Sequence, residues 1–156
     1  MKLERAEIER ILAGWPVARL ATAAPDGRAE LVPIVFAWSG GALWTPVDGK
    51  PKRGGELARV RNLRADPRVC VLLDRYAADW ERLWWLRLDG RAELVAGGAA
   101  EAARAVGALR AKSPRYASGA TPLFAGEPTL IRIEVDRRIG WRASASLGLE
   151  LEEGKP

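Results

Sequence analysis

The sequence predicts a mainly β domain with flanking helices, its antiparallel strands closed into a barrel. Three observations carry this expectation. The first half alternates short apolar runs with tight-turn signals, Pro25-Asp-Gly27 and Ser39-Gly-Gly41, as an antiparallel meander does. Several runs, Val69-Cys-Val-Leu-Leu73 among them, lack a polar face, so both sides need cover and a barrel serves better than an open sheet. Three further segments, at the start, middle and late part of the chain, carry helical spacing instead.

Taken in order, Leu3, Ile8, Ile11 and Leu12 share one face of a helix over 3–13, which Gly14-Trp-Pro16 ends. Val17–Ala23 and Arg28–Trp38 read as a hairpin. Pro33 in its second strand has no N–H to give to a ladder, so that strand is bulged there or lies at an edge. Ala42–Pro46 is a third short strand. After a polar loop over 47–55, Leu57, Val60 and Leu63 form the apolar stripe of a helix over 56–65, closed by Asp66-Pro67. Arg68–Asp74 is a strand apolar on both faces. Trp84–Val95 is a long strand interrupted at Asp89-Gly90 by either a hairpin turn or a glycine bulge. Glu101–Lys112 is a helix ended by Ser113-Pro114, and a loop over 115–128 leads to a last strand, Thr129–Val135, followed by Trp141 and Arg142. The total is about six strands in one domain over 1–145, with 146–156 as a C-terminal tail. Spare apolar surface suggests a homodimer.

A chain of 156 residues, 48% of them hydrophobic, supports one core. No apolar run approaches the ~20 residues that cross a bilayer, and residues 1–14 are charged and helical rather than signal-like, so a cytoplasmic protein is expected. There is no histidine, which removes Ser-His-Asp and Cys-His hydrolases and nearly all zinc and haem sites. The one cysteine, Cys70, excludes a disulfide framework and reads as a buried structural thiol. Any chemistry must come from something bound. The net charge of +5 and pI near 9.9 suit a partner bearing phosphate, whether nucleic acid, nucleotide or cofactor.

Lys50, Lys52, Arg53, Arg59 and Arg61 fall within twelve residues, most of them around the start of the 56–65 helix. That end of a helix carries partial positive charge, so cations there cost a few tenths of a kcal/mol each unless an anion joins them. The free N–H groups of a first turn after Gly54-Gly55 would complete a phosphate cradle. The other reading is a solvated basic face, and Glu56, a suitable first-turn residue, favours it. The spacing is not that of a Walker A loop.

Among seven tryptophans, Trp84 shares a core face with Leu86 and Leu88, while Trp85 points to the other face with Arg87. Trp85 could line a dimer interface or a ring-binding cleft. Asp74, Asp79, Glu81 and Asp89 form no recognisable acid and base pair and read as solvated or ion-paired. Tyr76 is a candidate proton donor.

The order Ala18-Arg-Leu-Ala-Thr22, Pro25-Asp-Gly27, Leu31-Val-Pro-Ile-Val35, Leu43-Trp-Thr45, the basic loop, and Arg61-Asn-Leu-Arg-Ala-Asp-Pro-Arg-Val69 resembles the pyridoxamine 5'-phosphate oxidase-like split-barrel family, and within it the deazaflavin-dependent oxidoreductases. The resemblance runs from about Ile11 to Val95, with an echo in Leu130–Trp141. It implies a six-stranded FMN-binding split β-barrel of Greek-key type. It implies that Thr45, Lys50, Lys52, Arg53 and Arg59 hold a cofactor phosphate, and that Val32, Pro33 and Ile34 set backbone groups against the ring system. Asn62, from the Asn-Leu-x-x-Asp-Pro-Arg-Val signature, and Trp85 complete the candidate cofactor-binding set. Arg59 stands where flavin-binding relatives have lysine. The Ser-Arg-Lys triplet of the true oxidases is missing, and their Arg-x-His pattern needs a histidine this chain lacks.

Three functions follow as expectations. The first is an oxidoreductase that holds reduced coenzyme F-420 between two subunits and passes hydride to a small conjugated organic acceptor. The second is an FMN-binding protein with little catalysis of its own. The third, ranked last, is nucleic-acid binding by the basic face.

Overall fold

In the computed structural model, which describes residues 1–47, 56–119, 123–124, 128–145, 147 and 149, the order of elements is α1 (Arg5–Gly14), β1 (Val17–Ala23), β2 (Ala29–Val35), β3 (Ala37–Ser39), β4 (Ala42–Pro46), α2 (Ala58–Ala65), β5 (Arg68–Arg75), β6 (Trp84–Ala96), α3 (Ala100–Lys112), α4 (Pro114–Ala117) and β7 (Thr129–Arg142). All strand pairs are antiparallel, in the order β2-β1-β5-β6-β7-β4-β3.

The strand expected over 28–38 is divided at Phe36. Its first half, β2, pairs with β1 from Val17↔Val35 to Ala23↔Ala29, while its second half, β3, pairs with β4 at the opposite end of the sheet. One stretch of backbone therefore belongs to both ends of the sheet, β2 approaches β4, and the sheet curls into a split barrel. This division makes the count seven where six were expected. The buried ring of Phe36 fills the bend.

The interruption at Asp89-Gly90 is a bulge, not a turn, where the β6–β7 register shifts. A Cβ on Gly90 would lie 2.1 Å from the Glu134 carbonyl oxygen, so only glycine lets the strands approach this closely. Beyond the bulge β7 runs on to Arg142, seven residues further than Val135, because Trp84–Asp89 offers it a continuous partner.

Leu20, Ile34, Val71, Leu73, Trp84, Leu86, Leu88 and Ile133 fill the barrel, and Ile11 and Leu12 of α1 plug it from outside the sheet. Each such side chain contributes roughly 1.5–3 kcal/mol. A second cluster sits beneath α3, where Ala102, Ala105 and Leu109 meet Ala37, Ala42 and Trp44 of β3 and β4. The α1 start is fixed by reciprocal bonds between Glu4 and Glu7, the Glu4 N–H donating to the Glu7 carboxylate at 2.7 Å. Strand β5 departs from expectation: Val69, Val71 and Leu73 are buried, but Cys70 and Leu72 on its other face are only half-buried, since no element of the described residues covers that side.

Candidate functional site

The helix α2 starts at Ala58 rather than Glu56. Leu57 is its N-cap and provides no side-chain cap, and the Glu56 carboxylate turns instead to the Arg64 guanidinium. The first turn thus holds no acidic residue, and its half-buried cation is Arg59. The N–H groups of Val60 and Arg61 return to the Leu57 carbonyl at 2.9 and 3.1 Å, while those of Ala58 and Arg59 precede the helical ladder. This removes the objection Glu56 raised to an anion site. Lys50, Lys52 and Arg53 lie outside the described residues.

Asn62 is 3% exposed and points into the protein. Its side-chain amide donates to the Thr22 hydroxyl on β1 at 3.0 Å and to the Glu30 carboxylate on β2 at 3.0 Å. These two bonds lock α2 against the hairpin and fix the helix start relative to β2. Thr22 and Glu30 carry no local signal for this role, because they lie 40 and 32 residues away in sequence.

Strand β2 is an edge strand in unbroken register with β1, so Pro33 resolves as an edge proline rather than a bulge. Pro33 is exposed opposite Arg19, Val32 is half-buried, and Ile34 belongs to the core. At Ile34, backbone alone can meet a ligand. Thr45 is buried in β4 opposite Ile131, on the strand that approaches β2. Thus Asn62 ties α2, which also carries Arg59, to Glu30 at the start of the strand holding Val32, Pro33 and Ile34, and β4 with Thr45 approaches that same strand.

Trp85 does not join them. It lies half-buried on the outer face of β6, between Asp74 and Trp141, three strand steps from β2. At ~4.8 Å per step that is about 14 Å along the sheet. Its neighbour Trp84 is fully buried, with Trp15 edge-on to it at 4.7 Å between ring centroids, as expected of a core residue.

Three of the four carboxylates, those of Asp74, Asp79 and Asp89, have structural partners. Asp74 pairs with Arg19, Asp89 with Arg87 at 3.1 Å, and Asp79 accepts from the Glu81 N–H at 3.1 Å in a short 3-10 turn, Trp80–Arg82. Tyr76 is 78% exposed. Cys70, expected to be buried, is half-buried in an open cavity of about 310 Å³ beside Ala21, Thr22 and Arg68; burial first, and then its bond with Asp89, push its thiol pKa up, away from nucleophilic chemistry. Asp66, whose Asp-Pro closes α2, is held at a pKa of about 2 by its hydrogen bonds with Arg68. Among the described residues no three His, Cys, Asp or Glu side chains gather to hold a metal ion.

The geometry offers a helix start without an acidic residue and, tied to it through Asn62, an edge strand that pairs with β1 alone among the described strands. The sequence profile of pyridoxamine 5'-phosphate oxidase matches residues 5–142, and the chain belongs to that family. Solved structures share the fold. A FAD-binding protein from Mesorhizobium loti is 23% identical with a TM-score of 0.65, over 90% of this chain and 93% of that one. The heme storage protein HutZ from Vibrio cholerae is 16% identical with a TM-score of 0.68, over 91% and 95%. An F-420 reductase is 22% identical with a TM-score of 0.59, over 83% and 94%. A search of curated proteins finds no match for the chain.

Proposed function

We propose that the chain is an oxidoreductase of the split-barrel family that binds coenzyme F-420, a deazaflavin, through its phosphate and reduces a small organic acceptor. The observation that supports this best is the α2 start. An acid-free first turn carrying Arg59 is pinned by Asn62 to the edge strand whose backbone would meet a flat ring. In this reading the helix N–H groups and Arg59, with Lys50, Lys52 and Arg53 of the preceding loop, hold the phosphate. Thr45 and the β2 backbone at Val32, Pro33 and Ile34 orient the ring. The bound cofactor supplies the hydride chemistry, and the chain's own residues orient it and keep water away.

Trp85 reaches that site only from a second copy. We read the outer face bearing Trp85, Leu72, Ile139 and the 39%-exposed Trp141 as the surface of a homodimer, a cytoplasmic one. Sedimentation should give twice the chain mass, and a monomer would remove Trp85 from the site.

Titration of tryptophan fluorescence with F-420 and with FMN tests the choice of cofactor. Tighter binding of F-420 is expected. Preference for FMN would favour the second reading, an FMN-binding protein with little catalysis. That reading draws support from Asp74, Asp79 and Asp89, whose carboxylates are engaged structurally rather than set as an acid and base pair.

A further inference from the structure

Away from α2, the corner between α1, β3 and α3 holds an amine with no structural duty that requires lysine. Lys112 ends α3. Its Nζ donates to the Leu12 carbonyl near the end of α1 at 3.1 Å and lies 3.5 Å from the centroid of the Phe36 ring. Arginine, always protonated, could make both contacts, and 20 of the 25 basic residues of this chain are arginine against 5 lysines.

The same side chain lines an open cavity of about 300 Å³ whose other walls are Ala13, Ala37, Trp38, Ala108 and Ala111. Four alanines leave room beside one indole. The acids of α1 are occupied elsewhere: Glu7 holds Arg142 at 2.8 Å and Glu9 holds Arg138 at 2.7 Å, and Arg138 lies over the Trp38 ring at 4.8 Å. Among the described residues no carboxylate pairs with Lys112, and burial alone lowers its pKa to about 8. A desolvated amine in an apolar cavity is the setting in which lysine becomes a nucleophile toward carbonyls.

We propose that Lys112 is a carbonyl-reactive amine and that the cavity beside it takes small apolar aldehydes as reversible imine adducts. The amine lone pair attacks the aldehyde carbon and forms the C–N bond. The carbonyl oxygen leaves as water with the two nitrogen protons, and no oxidant or reductant takes part. The ends of α1 and α3 meeting here carry partial negative charge, which selects a neutral carbonyl over a carboxylate. None of the residues assigned to the cofactor takes part.

The test is to incubate the full chain with benzaldehyde and sodium cyanoborohydride near neutral pH, trapping the imine as a secondary amine, and to map the peptides by mass. Lys112 should be benzylated at least about tenfold faster than the exposed Lys2. Benzoate in equal excess should not protect it. Ala108→Leu, which fills the cavity and keeps the amine, should slow labelling of Lys112 and leave Lys2 unchanged. Labelling no faster than that of Lys2, protection by benzoate, or indifference to Ala108→Leu would each overturn the proposal.

Discussion

Two cations, Arg59 and Lys112, sit at helix ends in this barrel, and the ends are opposite ones. Arg59 occupies the first turn of α2, where the helix dipole repels it, while Lys112 closes α3 and touches the end of α1, where the dipoles favour it. Arg59 sits in a turn without an acid, so the helix and the cation both favour an added anion. Lys112 has a carbonyl and a ring face to hold its charge, yet burial outweighs them and lowers its pKa. In the two proposals position along the helix decides the ligand: the first corner would take negative charge, the second a neutral electrophile.

The largest expected effect breaks the first half of this contrast. Lys50→Ala with Arg59→Ala should weaken F-420 binding by ~1.5–3 kcal/mol for each charged hydrogen bond lost, roughly a hundredfold or more in Kd. Fluorescence titration reads the loss, and an unchanged circular dichroism spectrum shows the fold intact. Unchanged affinity would place the phosphate elsewhere.

Next in size, Asn62→Ala should cost about 1–3 kcal/mol of stability, read as a lower urea midpoint at unchanged m, since the Glu30 and Thr22 groups at its end lose their donor. It should also weaken cofactor binding less than the double variant does, because Asn62 acts on the site only by holding α2 in place. A variant as stable as wild type would remove Asn62 from that role.

The smallest effect sharpens the Lys112 side. Its folded pKa of about 8 lies below the ordinary 10.5, so the unfolded chain binds the proton more tightly. The folded state is penalised below about pH 8, and stability attributable to Lys112 rises as pH climbs from 8 toward 10.5. Lys112→Met should flatten that rise in denaturant unfolding measured across this window, and an identical pH dependence in both proteins would contradict the desolvated amine.

Much of this was legible in the sequence because it is locally determined. Asp66-Pro67 ends α2 and begins β5 within a residue of the expected place, and Gly14-Trp-Pro16 ends α1 as read. The pieces that were not legible depend on distant partners. Nothing near Phe36 says that the strand through it will leave β1 and join β4, and the apolar pattern of β5 could not show that its Cys70 face would lack cover in a single copy. Asn62 was read as a cofactor ligand from the resemblance, and what its own neighbours could not show is that its side-chain NH2 reaches Thr22 and Glu30, two residues the helix pattern never names. Lys112 passed as a helix end, because its burial comes from α1 and β3 rather than from its own neighbours.

The bend at Phe36 has a consequence for how the molecule comes apart. A sheet with two independent edges can fray from either side, and its outer strands exchange their amide protons early. Here the outer strands are successive halves of one eleven-residue stretch, Ala29–Ser39, so peeling β2 from β1 pulls on β3 and its pairing with β4. The ladder-bonded amides of both edges should therefore exchange together at close to the rate of global opening, and the barrel should close late in folding, once the distant β4 and β7 are in place.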